Sequence, residues 1–217
     1  MAAFLNVDKS CRGLLWRARC DDDDAVTELV QSKSLDNLTA QLLAGRGVTP
    51  ESADEFLAPT LRGSMPDPSN LVDMDKAARL ILDAIQAKQK ITVFADYDVD
   101  GGTSAAQLIR WGRALGANIG LYVPDRVKEG YGPTVEAFEQ LKDEGNELVV
   151  TVDCGAAAHS ALEAAKDLDL RIIVIDHHLM HGDLPPCAAL VNPNREDDSS
   201  GLGHLAAAGV TFMTLVA

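Results

Sequence analysis

The chain changes texture near residue 90. Before it, apolar positions recur at helical spacing in short blocks. Leu38, Leu42 and Leu43 fall on one face of a helix within "DNLTAQLLAGRG", which a glycine stops. "TPESADEFL" opens with a Thr-Pro helix start, and "LRGSMPDPSN" is a Pro/Gly/Ser-rich connector. Residues 73–89 form the clearest amphipathic helix, with Ala77, Leu80, Ile81, Ala84 and Ile85 on a shared face. After Lys90 come unbroken apolar runs at 91–95, 118–123, 147–152, 170–175 and 188–192. Helical stretches separate the first four, over about 103–115, 134–144 and 156–167. Apolar runs without period-2 alternation, alternating with helices, predict a parallel sheet buried on both faces. The expected architecture is therefore α/β: five parallel strands flanked by helices, preceded by a short helical segment. We place the division at 1–72 and 73–217.

Composition narrows the class. The 217 residues are 47% hydrophobic, with no apolar run long enough for a transmembrane helix and no secretory signal, so the expected compartment is the cytoplasm. Cys11, Cys20, Cys154 and Cys187 form no C-x-x-C pair, which predicts four free thiols rather than a zinc site. A net charge of −14 argues against coating nucleic acid by bulk electrostatics. Part of that charge is the run Asp21–Asp24, read as a solvated loop before a helix.

The chemistry sits where strands end. After 91–95 comes Asp96-Tyr97-Asp98-Val99-Asp100-Gly101-Gly102. After 147–152 comes Asp153-Cys154-Gly155, and after 170–175 comes Asp176-His177-His178. In open parallel sheets, ligands bind at the carboxyl ends of the strands, so the fold brings these clusters to one edge. Five carboxylates there repel one another, and either protonation or bound cations must relieve them. Carboxylates with imidazoles suit divalent manganese or magnesium, and a pair of such ions suits phosphoester hydrolysis.

A calcium EF-hand loop is the competing reading of Asp96, Asp98, Asp100 and Gly101, but its twelfth position holds Gln107 instead of Glu and an apolar strand precedes it. Isolated Asp-Gly turns and helix caps explain any one cluster alone; three clusters in register are harder to explain that way. Gly101, Gly102 and Thr103 read as a tight turn into a helix. Asn192 and Asn194 read as residues that order a loop near the site or that simply form a turn.

"ADYDVDG", "VTVDCG", "VIDHH" and "VNPNR", in this order, resemble the DHH phosphoesterase superfamily, and within it the RecJ-type exonucleases specific for single-stranded DNA. The segments "LLAGRGVTPESADEFLAPTLRGSMPDP", "VPDRVKEGYGPT" and "GLGHLAAAGVTF" extend the resemblance over nearly the whole chain. It implies a two-metal site, with manganese or magnesium, that removes nucleotides from single-stranded DNA in the 5′-to-3′ direction during repair and recombination. It also implies other repair proteins as partners. Asp96, Asp98, Asp100, Asp153 and His177 would be metal ligands, with Asp153 bridging. His178 would touch the scissile phosphate or a metal, and Asp176 would orient the histidines. Arg126 would contact phosphate, and Tyr131 would stack or pack nearby.

Two departures from the family pattern stand out. Phe94 occupies a position where some relatives carry His. The family's last metal-binding aspartate, its second lobe and its OB domain have no counterpart before Ala217, so the chain is expected to be the N-terminal part of a longer protein. Within the superfamily, an oligoribonuclease, a cyclic-dinucleotide phosphodiesterase or a pyrophosphatase is the alternative; a non-catalytic nucleic-acid scaffold is the alternative outside enzymology.

Overall fold

The computed structural model describes residues 3–20 and 22–217. The chain divides into two compact units, Met1–Pro66 and Asp67–Ala217. In the first, three short helices stand at the positions that their caps dictate. Helix α1 (Asp23–Lys33) starts where Asp22 accepts a hydrogen bond from the Ala25 N–H at 3.0 Å. The acidic run thus caps a helix and fills its first turn, where negative charge offsets the helix dipole; Asp21 lies outside the described residues. Asp36 caps α2 (Asn37–Ala44) through the Thr39 N–H at 3.0 Å. Pro50 opens α3 (Pro50–Leu57), where Ser52 Oγ accepts from the Thr49 N–H at 3.0 Å. A single turn, α4 (Leu61–Ser64), comes next.

The core of this unit corrects one expectation. Leu38 and Leu42 are 66% and 52% exposed, and the buried face of α2 is Ala40 and Leu43, against Leu29, Val48 and Ala53. Three helices of this length bury only a narrow stripe, and Leu38 and Leu42, one turn apart, lie beside it.

The second unit contains the sheet. Strands β1 (Ile91–Ala95), β2 (Ile119–Tyr122), β3 (Leu148–Val152), β4 (Arg171–Ile175) and β5 (Ala189–Val191) run parallel in the order β2-β1-β3-β4-β5. The register places Ala95, Val152, Ile175 and Val191 side by side as the last row of the central strands.

One face carries Phe94, Val149, Ile172, Val174 and Leu190, which pack with Phe138 and Leu141 of α7 (Val135–Asp143) and Leu162 of α8 (His159–Asp167). Phe94 is fully buried, stacked on Tyr122 at 5.1 Å between ring centroids and edge-on to Phe138 at 6.1 Å. Its burial contributes about 2–3 kcal/mol. Helices α5 (Met74–Gln86), α6 (Val99–Ala114) and α9 (Ala207–Val216) cover the strands from the other side, α6 against β1 and α9, α5 against β5. Met74, Ala77, Ile81 and Ala84 are the buried stripe of α5, as its periodicity predicts.

Two helices begin away from their expected positions, both because of the residues just past a strand end. Helix α6 starts at Val99 rather than near 103, since Asp98 Oδ1 accepts from the N–H groups of Asp100 (2.8 Å) and Gly101 (3.0 Å) and caps it early. Helix α8 starts at His159 rather than 156, because Asp153 (φ 62°) and Gly155 (φ 108°) use the intervening residues in a left-handed turn. All four cysteines are free, and among the described residues no helix is long and apolar enough to cross a membrane.

Candidate metal centre

One residue beyond the last row of the sheet stands a row of polar side chains. The ladder continues for one more step: the N–H groups of Asp96, Asp153 and Asp176 donate to the carbonyls of Val152 (3.3 Å), Ile175 (3.0 Å) and Val191 (3.0 Å). Asp96, Asp153, Asp176 and Asn192 therefore sit at equivalent positions on β1, β3, β4 and β5, and all four are buried. The strand order reverses between β1 and β3, so Asp96 and Asp153 flank the switch point where open α/β sheets form their crevice.

The first turn of α6 adds two more carboxylates. Asp98 spends one oxygen on the helix cap and lies within proton-sharing reach of Asp153. Asp100 reaches across to α9, where its oxygens accept from the N–H groups of Ala207 (2.8 Å) and Ala208 (2.7 Å). It supplies the N-terminal cap that Ala206 cannot provide. This geometry requires glycine at 101: a Cβ there would lie 2.4 Å from the Asp96 carbonyl oxygen and 2.8 Å from its backbone nitrogen.

The histidines come directly after β4. His177 Nε2 lies 3.4 Å from Asp153 and 3.5 Å from Asp100. His178 turns the other way, with Nδ1 2.7 Å from Asp176 Oδ1. The same oxygen accepts from the N–H groups of His177 (2.7 Å) and His178 (3.2 Å), while Asp176 Oδ2 accepts from Ala156 at 3.0 Å. Asp176 thus holds the His178 ring and the backbone amides of both histidines from behind.

The electrostatics are those of crowded acids. Burial, then the charges of Asp100 and Asp98, push the Asp153 carboxyl up to about 7. Burial also raises Asp96, and Asp96 Oδ1 is a buried oxygen with no hydrogen-bond partner. Asp98 is held low, chiefly by the Gly101 N–H. Burial works to raise Asp176, but hydrogen bonds from His178 and Ala156 outweigh it and hold the carboxyl low. The Asp176 hydrogen bond raises His178 to about 8.

These groups fit a hard divalent cation. An orphaned buried carboxylate oxygen and a carboxyl near neutrality both call for positive charge. Two sets of ligand atoms, Asp96/Asp98/Asp153 and Asp153/His177/His178, each lie within 4.8 Å of one another and share Asp153. The donors are oxygen and imidazole nitrogen, the set suited to manganese or magnesium. The one nearby thiol, Cys154, is buried and points its sulfur at the Val152 carbonyl, 3.5 Å away.

Asp96, Asp98, Asp153, His177 and His178 therefore come together as ligand sets, Asp176 stands behind them, and Asp100 borders them through His177. Arg126 is exposed on the loop after β2, its guanidinium 5.2 Å from the Tyr97 ring centroid. That loop is held by Glu129, which accepts from Tyr122 Oη (2.5 Å) and the Asp125 N–H (2.6 Å). Phe94 sits in the core and offers the centre nothing. His159, His181 and His204 are exposed, outside both sets. Sequence reasoning gave Tyr131 and Asn192 no defined contact. In the structure Tyr131 Oη donates to the Asp153 carbonyl at 3.0 Å, and Asn192 completes the polar row. The register of β5 against β4 was the available signal for Asn192.

Residues 90–216 match the family model described as DHH family, N-terminal domain. The chain is 38% identical over 198 residues to the single-stranded-DNA-specific exonuclease RecJ of Bacillus subtilis, covering 91% of this chain and 25% of that protein. It is 38% identical over 181 residues to the Escherichia coli RecJ exonuclease, covering 83% of this chain and 31% of the relative. Among solved structures, an exonuclease RecJ bound to manganese aligns with a TM-score of 0.61 at 35% identity, over 67% of this chain and 37% of that one. RecJ from Thermus thermophilus in complex with Mn2+ aligns with a TM-score of 0.69 at 27% identity, over 88% of this chain and 26% of the other. The chain thus spans about a quarter to a third of the length of these curated relatives.

Proposed function

The chain belongs to the DHH family, and from that premise we propose that it carries the metal-binding core of a single-stranded-DNA-specific 5′-to-3′ exonuclease of the RecJ type, acting in DNA repair and recombination. The observation that carries this reading is the pair of ligand sets sharing Asp153 at the switch point of the sheet. On this reading residues 73–217 supply the phosphoesterase domain, residues 1–72 precede it, and the protein works in the cytoplasm on single-stranded DNA, alongside other repair proteins.

Asp96, Asp98, Asp153 and His177, with Asp100 beside them, would hold two manganese or magnesium ions. Such ions supply Lewis acidity toward the phosphoryl oxygens and the attacking water. The chain's own groups do the rest. Asp153 would hold such an ion as a carboxylate, because positive charge would offset the burial and the acidic neighbours that push its carboxyl up to about 7. Asp176 fixes the His178 ring through Nδ1, which turns Nε2 away from it; there the Tyr131 hydroxyl lies 3.5 Å away, and a phosphoryl oxygen would accept the Nε2 proton of the largely cationic imidazole in its place. Arg126, braced on Tyr97, offers a second cation to the phosphate backbone. With a net charge of −14, the chain depends on such local cations to hold DNA.

The test is digestion of 5′-labelled single-stranded DNA, short RNA and pyrophosphate side by side, with and without manganese. Metal-dependent release of nucleotides from the DNA by the full-length protein, abolished by Asp153→Ala, is expected. Preferential turnover of RNA or pyrophosphate refutes the substrate, and activity retained in Asp153→Ala refutes the site.

A further inference from the structure

The His178 ring has Asp176 to hold it. Among the described residues the His177 ring has no comparable hydrogen-bonded support: its polar contacts, at 3.4 and 3.5 Å, are to the acids of the site itself, and its other neighbour is the His178 ring, 4.8 Å away between centroids. Asp153 carries a different burden. Its φ of 62° is left-handed, a conformation that costs a non-glycine residue about 1 kcal/mol or more. Something outside the ligand sets must hold both residues in place.

We infer that three side chains form a main-chain clamp around the centre: Tyr131, Asn192 and Asn194 are positioning residues that fix the backbone carbonyls of Asp153, His178 and His177. The inference rests on the metal-centre reading above. Tyr131 Oη donates to the Asp153 carbonyl at 3.0 Å, while the Asp153 N–H donates to Ile175, so the strained residue is tied on both sides. Asn192 Nδ2 donates to the His178 carbonyl at 3.0 Å, and Asn194 Nδ2 donates to the His177 carbonyl at 2.5 Å.

The two asparagines are themselves locked. Asn192 is fully buried and its Oδ1 accepts from the Asn194 N–H at 2.8 Å. Asn194 also reaches the Gly203 carbonyl at 3.3 Å, against a residue whose added Cβ would stand 2.5 Å from Asn194 Oδ1. Next in the chain, the buried Arg195 guanidinium joins Asp73 (3.1 Å), Asp197 (2.7 Å) and the Leu190 carbonyl (2.5 Å), which anchors the loop to β5 and to the start of α5. A rigid loop thus transmits the position of β5 to both histidines. Main-chain carbonyls are the points of purchase because every ligand atom faces the centre.

Tyr131→Phe and Asn194→Ala remove one donor each; Tyr131 is more than half exposed, so its variant folds without repacking a core. Asn192→Ala opens a buried site and serves as a third variant only if it folds. In the metal-free chain, amide hydrogen exchange at 177–180 is expected to accelerate in Asn194→Ala. In manganese titrations, both variants are expected to bind about tenfold more weakly, the loss typical of support behind a ligand. Their manganese EPR line shape is expected to change as well. Wild-type binding with unchanged affinity and line shape in both variants overturns the clamp and leaves the metal centre standing. A wild-type chain that takes up no manganese overturns the metal centre; the clamp is then decided by exchange in the metal-free chain, where unchanged protection at 177–180 overturns it.

Discussion

Gly101 and Gly102 are adjacent, both lie in the first turns of α6, and the structure assigns them opposite sensitivities. An alanine at 102 meets nothing within 4 Å. It should gain the ordinary helix-propensity advantage over glycine, about 0.5–1 kcal/mol. An alanine at 101 gains the same propensity but drives its Cβ to 2.4 Å from the Asp96 carbonyl oxygen and 2.8 Å from the Asp96 carbonyl carbon and nitrogen. All three are backbone atoms of the β1 terminus, so no rotamer change relieves the overlap. Either α6 or the end of β1 must move, at the cost of about 1–3 kcal/mol typical of an overpacked site.

For a domain of this size each kcal/mol moves the melting midpoint by about 2–4 °C. Gly102→Ala should therefore melt slightly higher than wild type and Gly101→Ala several degrees lower. Because the displaced atoms belong to Asp96 and to the turn that presents Asp98, Gly101→Ala should also weaken manganese binding, about tenfold or more. Differential scanning calorimetry with manganese titration measures both. Equal midpoints and equal metal affinity for the two variants would refute the claim that α6 is seated against Asp96 by glycine.

Other expectations concern charge. Asp153 titrates near 7 in the fold against an ordinary value of 3.8. The native state therefore binds more protons than the unfolded chain between about pH 4 and 7, and stability falls as pH rises through that window. His178, raised to about 8, stabilises the fold below its ordinary value and loses that contribution as pH rises through 8, which is the same direction. Urea unfolding of the metal-free chain should give lower stability at pH 8.5 than at pH 5, with the difference suppressed by manganese; the reverse order would contradict the charge picture. Asp176→Asn removes the partner that raises His178, so its NMR titration midpoint should drop from about 8 toward the ordinary 6.5. An unmoved midpoint would show that another group sets it.

The order of strands and helices, and the placement of acids at strand ends, could be read from the chain because buried parallel strands write themselves as unbroken apolar runs. What sequence left open depended on contacts between residues far apart in the chain. Leu38 and Leu42 obey the helical period yet face outward, since periodicity identifies a stripe but not how much of it a small three-helix unit can cover. The early start of α6 comes from one carboxylate choosing a cap, which competes with its reading as a ligand. Asn192 read either as ordering a loop near the site or as turn chemistry, and only the register of β5 against β4 puts it in line with three aspartates. The shared position of Asp153 was expected from the family resemblance alone; physically it depends on strand order, which no local pattern encodes.

Asp100 bonds to the first two amides of a helix more than a hundred residues downstream, and the same carboxylate stands 3.5 Å from His177. Helix α9 is therefore geared to the centre. A slide of one ångström along its axis must either break two charge-assisted hydrogen bonds or drag the carboxylate with it, changing the distance to His177 by a comparable amount. Through this one side chain, a load applied to α9 becomes a change in the spacing of Asp100 and His177, and a shift of His177 becomes a pull on α9.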